Sequence, residues 1–115
     1  MPSGAPAARR IEHRFAGGDV NPYLSIAAVL GAALNGLEKK ALAPDPITGN
    51  AYDQDLPQMP ASWAEAMEQF ENSPEVAQIF APDLIRNFLL TKRQEQRQMA
   101  DLSPEEQVEV YLDTV

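Results

Sequence analysis

The stretch Ala8-Arg9-Arg10-Ile11-Glu12-His13-Arg14-Phe15 alone in this chain combines strand-like alternation with a dense row of charge. Period-two geometry sends Arg10, Glu12 and Arg14 to one face and Arg9, Ile11, His13 and Phe15 to the other. The spacing predicts a β-strand over residues 8–15, its mostly apolar face on a core and its cation–anion–cation row toward water, a cavity or a ligand. Two guanidinium forks flanking a carboxylate suit anionic oxygens and a metal that bridges them.

The same pattern also reads as a solvated strand face held by weak ion pairs, and the tripeptide spacing does not choose between the two. No other stretch of the sequence reads as a strand. A lone strand leaves a row of backbone donors and acceptors unpaired, so the strand is expected to pair with a second chain or with sheet partners outside these residues. Residues 1–8 are rich in Pro, Gly, Ala and Ser.

Downstream, Gly17-Gly18 gives freedom for a turn, and Asn21-Pro22 supplies an N-cap followed by proline at the first helical position. A helix is predicted over 22–40. Leu24, Ile26, Ala27, Val29, Leu30, Ala33, Leu34 and Leu37 cover most of its circumference, which places it inside something larger. Gly31 and Gly36 each cost about 1 kcal/mol of helix propensity, a cost that close packing would offset.

Prolines at 44, 46, 57 and 60, with Thr48-Gly49-Asn50, predict a long ordered loop over 43–61, tacked down by Tyr52, Leu56 and Met59. Ser62-x-x-Glu65 is a capping box opening a helix over 62–71. Ser73-Pro74 starts a short one over 74–80, and Ala81-Pro82 precedes a helix over 82–100 whose segment 92–98 reads as a solvated end. Ser103-x-x-Glu106 is a second capping box, opening a helix over 104–112.

Composition narrows the function classes. The chain has 115 residues, with 9 Lys and Arg against 17 Asp and Glu and a net charge of -8, so a broad cationic face for nucleic acid is not expected. There is no Cys and one His, His13, which leaves hard cations held by carboxylates as the expected metal chemistry. The longest apolar run, residues 24–34, is about half of the ~20 residues a bilayer span requires, so no membrane partner is expected.

The run from Arg10 through Ala16-Gly17-Gly18-Asp19-Val20-Asn21-Pro22-Tyr23-Leu24 resembles the late catalytic-domain segment of the glutamine synthetase family, including its gamma-glutamylputrescine and gamma-glutamylpolyamine branch. Leu56-Pro57 with Ser62-x-x-Glu65-Ala66-Met67, and Lys92-Arg93-x-Glu95, resemble later motifs of that family, and Ile47-Thr48-Gly49-Asn50-Ala51-Tyr52 leans toward the polyamine branch. The resemblance implies that residues 1–115 are a C-terminal segment of such a catalytic domain. Its fold class would be α+β, mostly α, with one or two strand segments of a larger antiparallel barrel followed by four to five helices and the proline-rich loop.

It further implies a cytoplasmic, ATP-dependent ligase that joins glutamate to ammonia or an amine through a gamma-glutamyl phosphate. Arg10 resembles the arginine at the ATP phosphate, Glu12 the carboxylate on a Mg or Mn ion, and Arg14 the arginine that holds glutamate and its phosphorylated form. Ala7 stands where many members carry a lysine. The implied partners are the remainder of the catalytic domain and neighbouring subunits of a ring-shaped homo-oligomer, and the isolated chain is expected to be inactive. The alternative is a non-catalytic helical interaction module derived from such an enzyme.

Overall fold

Four helices begin where a polar side chain can meet backbone N–H groups that have no partner within the helix. In α1 (Pro22–Glu38), Asn21 Oδ1 accepts from the Tyr23 and Leu24 amides at 3.0 and 3.2 Å. In α2 (Trp63–Asn72), Ser62 Oγ accepts from the Glu65 amide at 3.2 Å, and the Glu65 carboxylate accepts in return from the Ala61 amide at 2.8 Å. Ser73 Oγ caps α3 (Pro74–Ile79) by accepting from the Val76 amide at 3.3 Å. In α5 (Pro104–Leu112) the box is reciprocal: Ser103 Oγ accepts from the Glu106 amide, and the Glu106 carboxylate accepts from the Ser103 amide at 2.8 Å. The remaining helix, α4 (Pro82–Met99), starts behind Ala81 with no side-chain cap, its proline occupying a position whose N–H would be orphaned anyway.

This computed structural model describes residues 6–8, 10–18 and 20–112. Helix α1 ends in a Schellman arrangement, with the Lys40 amide donating to the Leu37 carbonyl at 3.1 Å and the Ala41 amide to the Gly36 carbonyl at 2.9 Å. The C′ residue is Lys40, at φ +50°, where glycine is the usual occupant.

Helix α1 packs on α3, and α2 on α4. The first contact depends on Gly31: a Cβ there would lie 2.6 Å from Ile79 Cγ2. Phe70 of α2 joins the pieces, its ring centroid 6.1 Å from that of Phe80 and 5.3 Å from that of Phe88. Arg93 of α4 pairs with Glu71 of α2 across the helix contact. Only Met67, Leu89 and Met99 form a buried apolar core among the described residues.

The fold is open. Its radius of gyration is 17.5 Å, where a compact chain of this length has about 13 Å. Its accessible surface is 9992 Å², where a folded monomer of 12.6 kDa exposes roughly 6,200 Å².

Several expectations are corrected. Among the described residues there is no β-strand: Pro6–Ala8 is a 3-10 turn, residues 10–15 have no regular structure, and Arg9 lies outside the described residues. Among the described residues the fold is helical, not α+β, with no barrel segment. A strand is a ladder of hydrogen bonds between chains or segments, and the alternation of residues 8–15 finds no partner here to make one. Ile11 and Phe15, expected on a core, are 75% and 72% exposed. Gly36 meets nothing within 4 Å and serves the helix end through its carbonyl, not close packing. In the loop, Tyr52 and Met59 do not tack anything down, being 97% and 62% exposed; of the three expected anchors Leu56 alone is partly covered, and residues 51–53 form a 3-10 turn.

Candidate functional site

Residues 10–18 leave the 3-10 turn as an exposed, irregular arm. Within it the period-two rows are still visible as contacts. Arg14 Nε donates to Glu12 Oε1 at 2.8 Å, and its Nη2 donates to the same oxygen. On the other parity, the His13 and Phe15 rings meet edge to face with centroids 5.3 Å apart. Residues two apart in extended backbone share a side, so both pairs follow from local geometry without a sheet.

The structure thus brings two of the three expected site residues together. Arg10 is exposed on the same arm. The Arg14–Glu12 pair is itself open to solvent, at 81% and 56% side-chain exposure, so its contribution to stability is small. Its value is orientation: the carboxylate holds the guanidinium plane, while Oε2 stays available for a second partner.

Among the described residues no three His, Asp or Glu side chains gather into a metal cluster. Glu12 offers one or two of the roughly six oxygens that Mg demands. On this arm Arg14 turns its Nε and Nη2 toward Glu12, and Arg10 adds a second exposed guanidinium.

Beyond Gly17 the chain turns, the Val20 amide reaching the Gly17 carbonyl at 3.4 Å, and enters α1. Between this turn and helices α2 and α4 lies an open groove of about 1120 Å³, walled by Leu24, Trp63, Leu84 and Phe88 with Asn87 and Lys92 at its side. Arg10, Glu12 and Arg14 do not line it.

Lys92 differs from its expected role as part of a solvated helix end. It is half-buried, 5.9 Å from the Phe88 ring centroid, and its Nζ donates to Glu95 at 2.6 Å. The signal was present in the spacing, since Phe88 and Lys92 are four apart and Lys92 and Glu95 three apart on a helix. Lys92-Arg93-x-Glu95 therefore joins α4 to itself and, through Arg93 and Glu71, to α2.

Comparison with known proteins identifies the relatives. The sequence profile of the glutamine synthetase catalytic domain matches residues 1–111. The chain is 39% identical over 79 residues to gamma-glutamylethanolamide synthetase of Streptomyces coelicolor, covering 69% of this chain and 17% of that protein. It is 35% identical over 113 residues to type-1 glutamine synthetase 2 of Dictyostelium discoideum, covering 94% of this chain and 22% of that protein. It is also 35% identical over 116 residues to glutamate–isopropylamine ligase of a Pseudomonas species, covering 98% of this chain and 25% of that protein. The chain thus spans about a quarter or less of each of these relatives. No solved structure matches it significantly. No helix among the described residues is long and apolar enough to cross a membrane.

Proposed function

The chain belongs to the glutamine synthetase family, and from that premise we propose that it contributes phosphate- and glutamate-binding residues to an ATP-dependent ligase that joins glutamate to ammonia or an amine. Three relatives of the chain are named for that type of product or reaction: a glutamine synthetase, a gamma-glutamylethanolamide synthetase and a glutamate–isopropylamine ligase. The observation that carries the reading is the arm itself, where Arg14 and Glu12 stand paired, with Arg10 two residues before Glu12 in the same exposed stretch that the family profile covers.

In this reading the reaction runs through a gamma-glutamyl phosphate. Arg10 neutralises charge on the transferring phosphoryl group, and Arg14 grips the carboxylate oxygens of glutamate and of its phosphorylated form. Planar guanidiniums suit both tasks because phosphoryl transfer depends on positioning and on stabilising spread negative charge. A Mg or Mn ion would supply further charge neutralisation at the phosphate, with Glu12 giving one carboxylate and the other oxygens coming from groups outside this chain. The rest of a family catalytic domain, and neighbouring subunits of a homo-oligomer, complete the site. Which amine is accepted depends on residues outside these 115.

The experiment seats this chain in place of the matching quarter of the Pseudomonas glutamate–isopropylamine ligase and follows ADP release with glutamate, ATP, Mg and a panel of amines. Turnover that Glu12→Gln abolishes is expected. Unchanged turnover in the Glu12→Gln chimera would remove Glu12 from the site and with it this reading. The 115-residue chain alone is expected to show no turnover.

A second reading, a non-catalytic interaction module, draws support from the open fold and its large accessible surface. It requires the seated chain to bind its surroundings while neither Glu12→Gln nor Arg14→Lys alters any rate.

A further inference from the structure

Between α2, α4 and α5 lies a cavity of about 520 Å³ that none of Arg10, Glu12 and Arg14 lines. Met67 and Leu89, two of the three buried apolar residues described, form part of its wall. Trp63 of α2 and Phe88 of α4 give it aromatic faces, and α5 contributes Gln107 and Tyr111. It shares Trp63, Phe88 and Lys92 with the open groove at the Gly17 turn, which leaves it a way in. Small-molecule sites have volumes of ~300–1,000 Å³ and mostly apolar, aromatic walls with few polar groups, and this cavity meets both conditions.

Charge singles out one class of ligand. Among the described residues that line the cavity, Lys92 alone is charged. Its Nζ donates to Glu95 at 2.6 Å, but an ammonium has three N–H donors, so that pair does not exhaust it, and Glu95 itself does not line the cavity. The helix that carries Lys92 is cationic on a chain of net charge -8: in α4, Arg86, Lys92, Arg93 and Arg97 stand against Asp83 and Glu95. Gln107 uses its Nε2 on the carbonyls of Met99 and Leu102, at 3.3 and 3.1 Å, and so offers a ligand no N–H group.

We infer that this cavity is a binding site for an amphipathic monocarboxylate, its carboxylate on Lys92 Nζ and its ring or other bulky apolar body against Trp63 and Phe88. The inference uses no residue of the arm and does not depend on the roles proposed for them. The Lys92 side chain is 34% exposed, so water screens a bound anion less than it would on the open surface. Flat aromatic walls favour a ring, which they meet offset or edge to face. A dianion such as inorganic phosphate fits less well, because its second charge would lie unpaired among apolar side chains. A cationic ligand would meet the charge of Lys92.

The test uses the 115-residue chain, with biphenylacetate as probe and the neutral biphenylacetamide as its control. Calorimetry measures the affinity, and the emission of Trp63, the chain's one tryptophan, reports whether the probe occupies this cavity. One-to-one binding of the acid is expected, with a saturable change in Trp63 emission. The amide should bind about ten-fold more weakly or worse, the effect of losing a hydrogen bond to a charged group. Lys92→Gln should weaken the acid by a similar factor and leave the amide unchanged, while Lys92→Arg, which keeps the charge, retains most of the affinity. Glu95→Gln should tighten the acid, because it removes the carboxylate that competes for Lys92. Absence of saturable binding at millimolar acid would overturn the proposal. So would equal affinity for acid and amide, or a Lys92→Gln chain that binds the acid as the unaltered chain does. If Lys92→Gln loses helix by circular dichroism, the comparison of acid with amide on the unaltered chain decides alone. These readouts are affinity and emission, so they separate from the ADP-release result on Glu12.

Discussion

Gly31 faces Ile79 so closely that a β-carbon on Gly31 would stand 2.6 Å from Ile79 Cγ2 and 3.1 Å from its Cβ. The α1–α3 contact therefore requires glycine at this position. Alanine would gain about 1 kcal/mol of helix propensity but force a β-branched neighbour to move, an overpacking that costs roughly 1–3 kcal/mol. Gly31→Ala should thus be neutral to destabilising, and Gly36→Ala, with nothing within 4 Å, stabilising by up to about 1 kcal/mol. Thermal unfolding followed at 222 nm compares the two. If both variants gain stability, α1 does not rest on α3 as described.

The capping box of α5 should make that helix sensitive to acid. The Ser103 amide and hydroxyl, which bond the Glu106 carboxylate, hold its pKa below the ordinary 4.5. A group whose pKa is depressed by folding stabilises the fold above its unfolded value and loses that contribution as pH falls through the folded one. Helix content should therefore drop as pH is lowered from about 4.5, and Glu106→Gln should remove part of that drop. Identical acid titrations of the two chains would show that the box does not form.

Lys40 holds a left-handed conformation that glycine adopts without strain. For an L-residue with a Cβ that conformation costs roughly 1–2 kcal/mol, so Lys40→Gly should recover part of that amount by easing the end of α1. Chemical denaturation measures it. A destabilised Lys40→Gly variant would mean that the lysine side chain contributes more than its backbone strain costs.

In an active enzyme carrying this chain, Arg14→Lys should lower kcat/KM by about 2–4 kcal/mol of transition-state stabilisation, the range for losing one preorganised donor to developing charge. Lysine keeps the charge and loses the fork. Arg9→Lys, on the opposite parity of the sequence and outside the described residues, should stay within about 0.5 kcal/mol of neutral. Equal losses would break the parity that sets Arg10, Glu12 and Arg14 apart from Arg9.

Helix starts were legible because they are local. Asn21-Pro22, Ser62 with Glu65, Ser73-Pro74 and Ser103 with Glu106 each satisfy backbone amides within four residues, and the structure shows those bonds. The apolar wrap of α1 was also legible, but which side packs within the chain depends on Ile79, 48 residues beyond Gly31 in the sequence. The strand over residues 8–15 failed for the complementary reason. Alternation says which side chains share a side, as Glu12 with Arg14 and His13 with Phe15 show, but a strand also needs a neighbour, and no pattern within eight residues supplies one. Lys92 was misjudged because a polar run was read as one unit, where Phe88 beneath and Glu95 beside it single it out.

The proline-rich loop bonds partly to itself, with Gln54 reaching the Thr48 carbonyl and Asn50 reaching Asp53, and is fastened to α2 at its end where the Ala61 amide meets Glu65; the rest is largely exposed between α1 and α2. It acts on the α1–α3 contact as a tether, supplying an effective concentration. Tethers of this kind confer local concentrations of at most millimolar order, falling as they lengthen. Below that level α1 seats on the α3 of its own chain. Above it, as in an inclusion body or a crowded refolding mixture, the α1 of one molecule can seat on the α3 of another, because the notch at Gly31 recognises Ile79 and not the polypeptide to which it belongs.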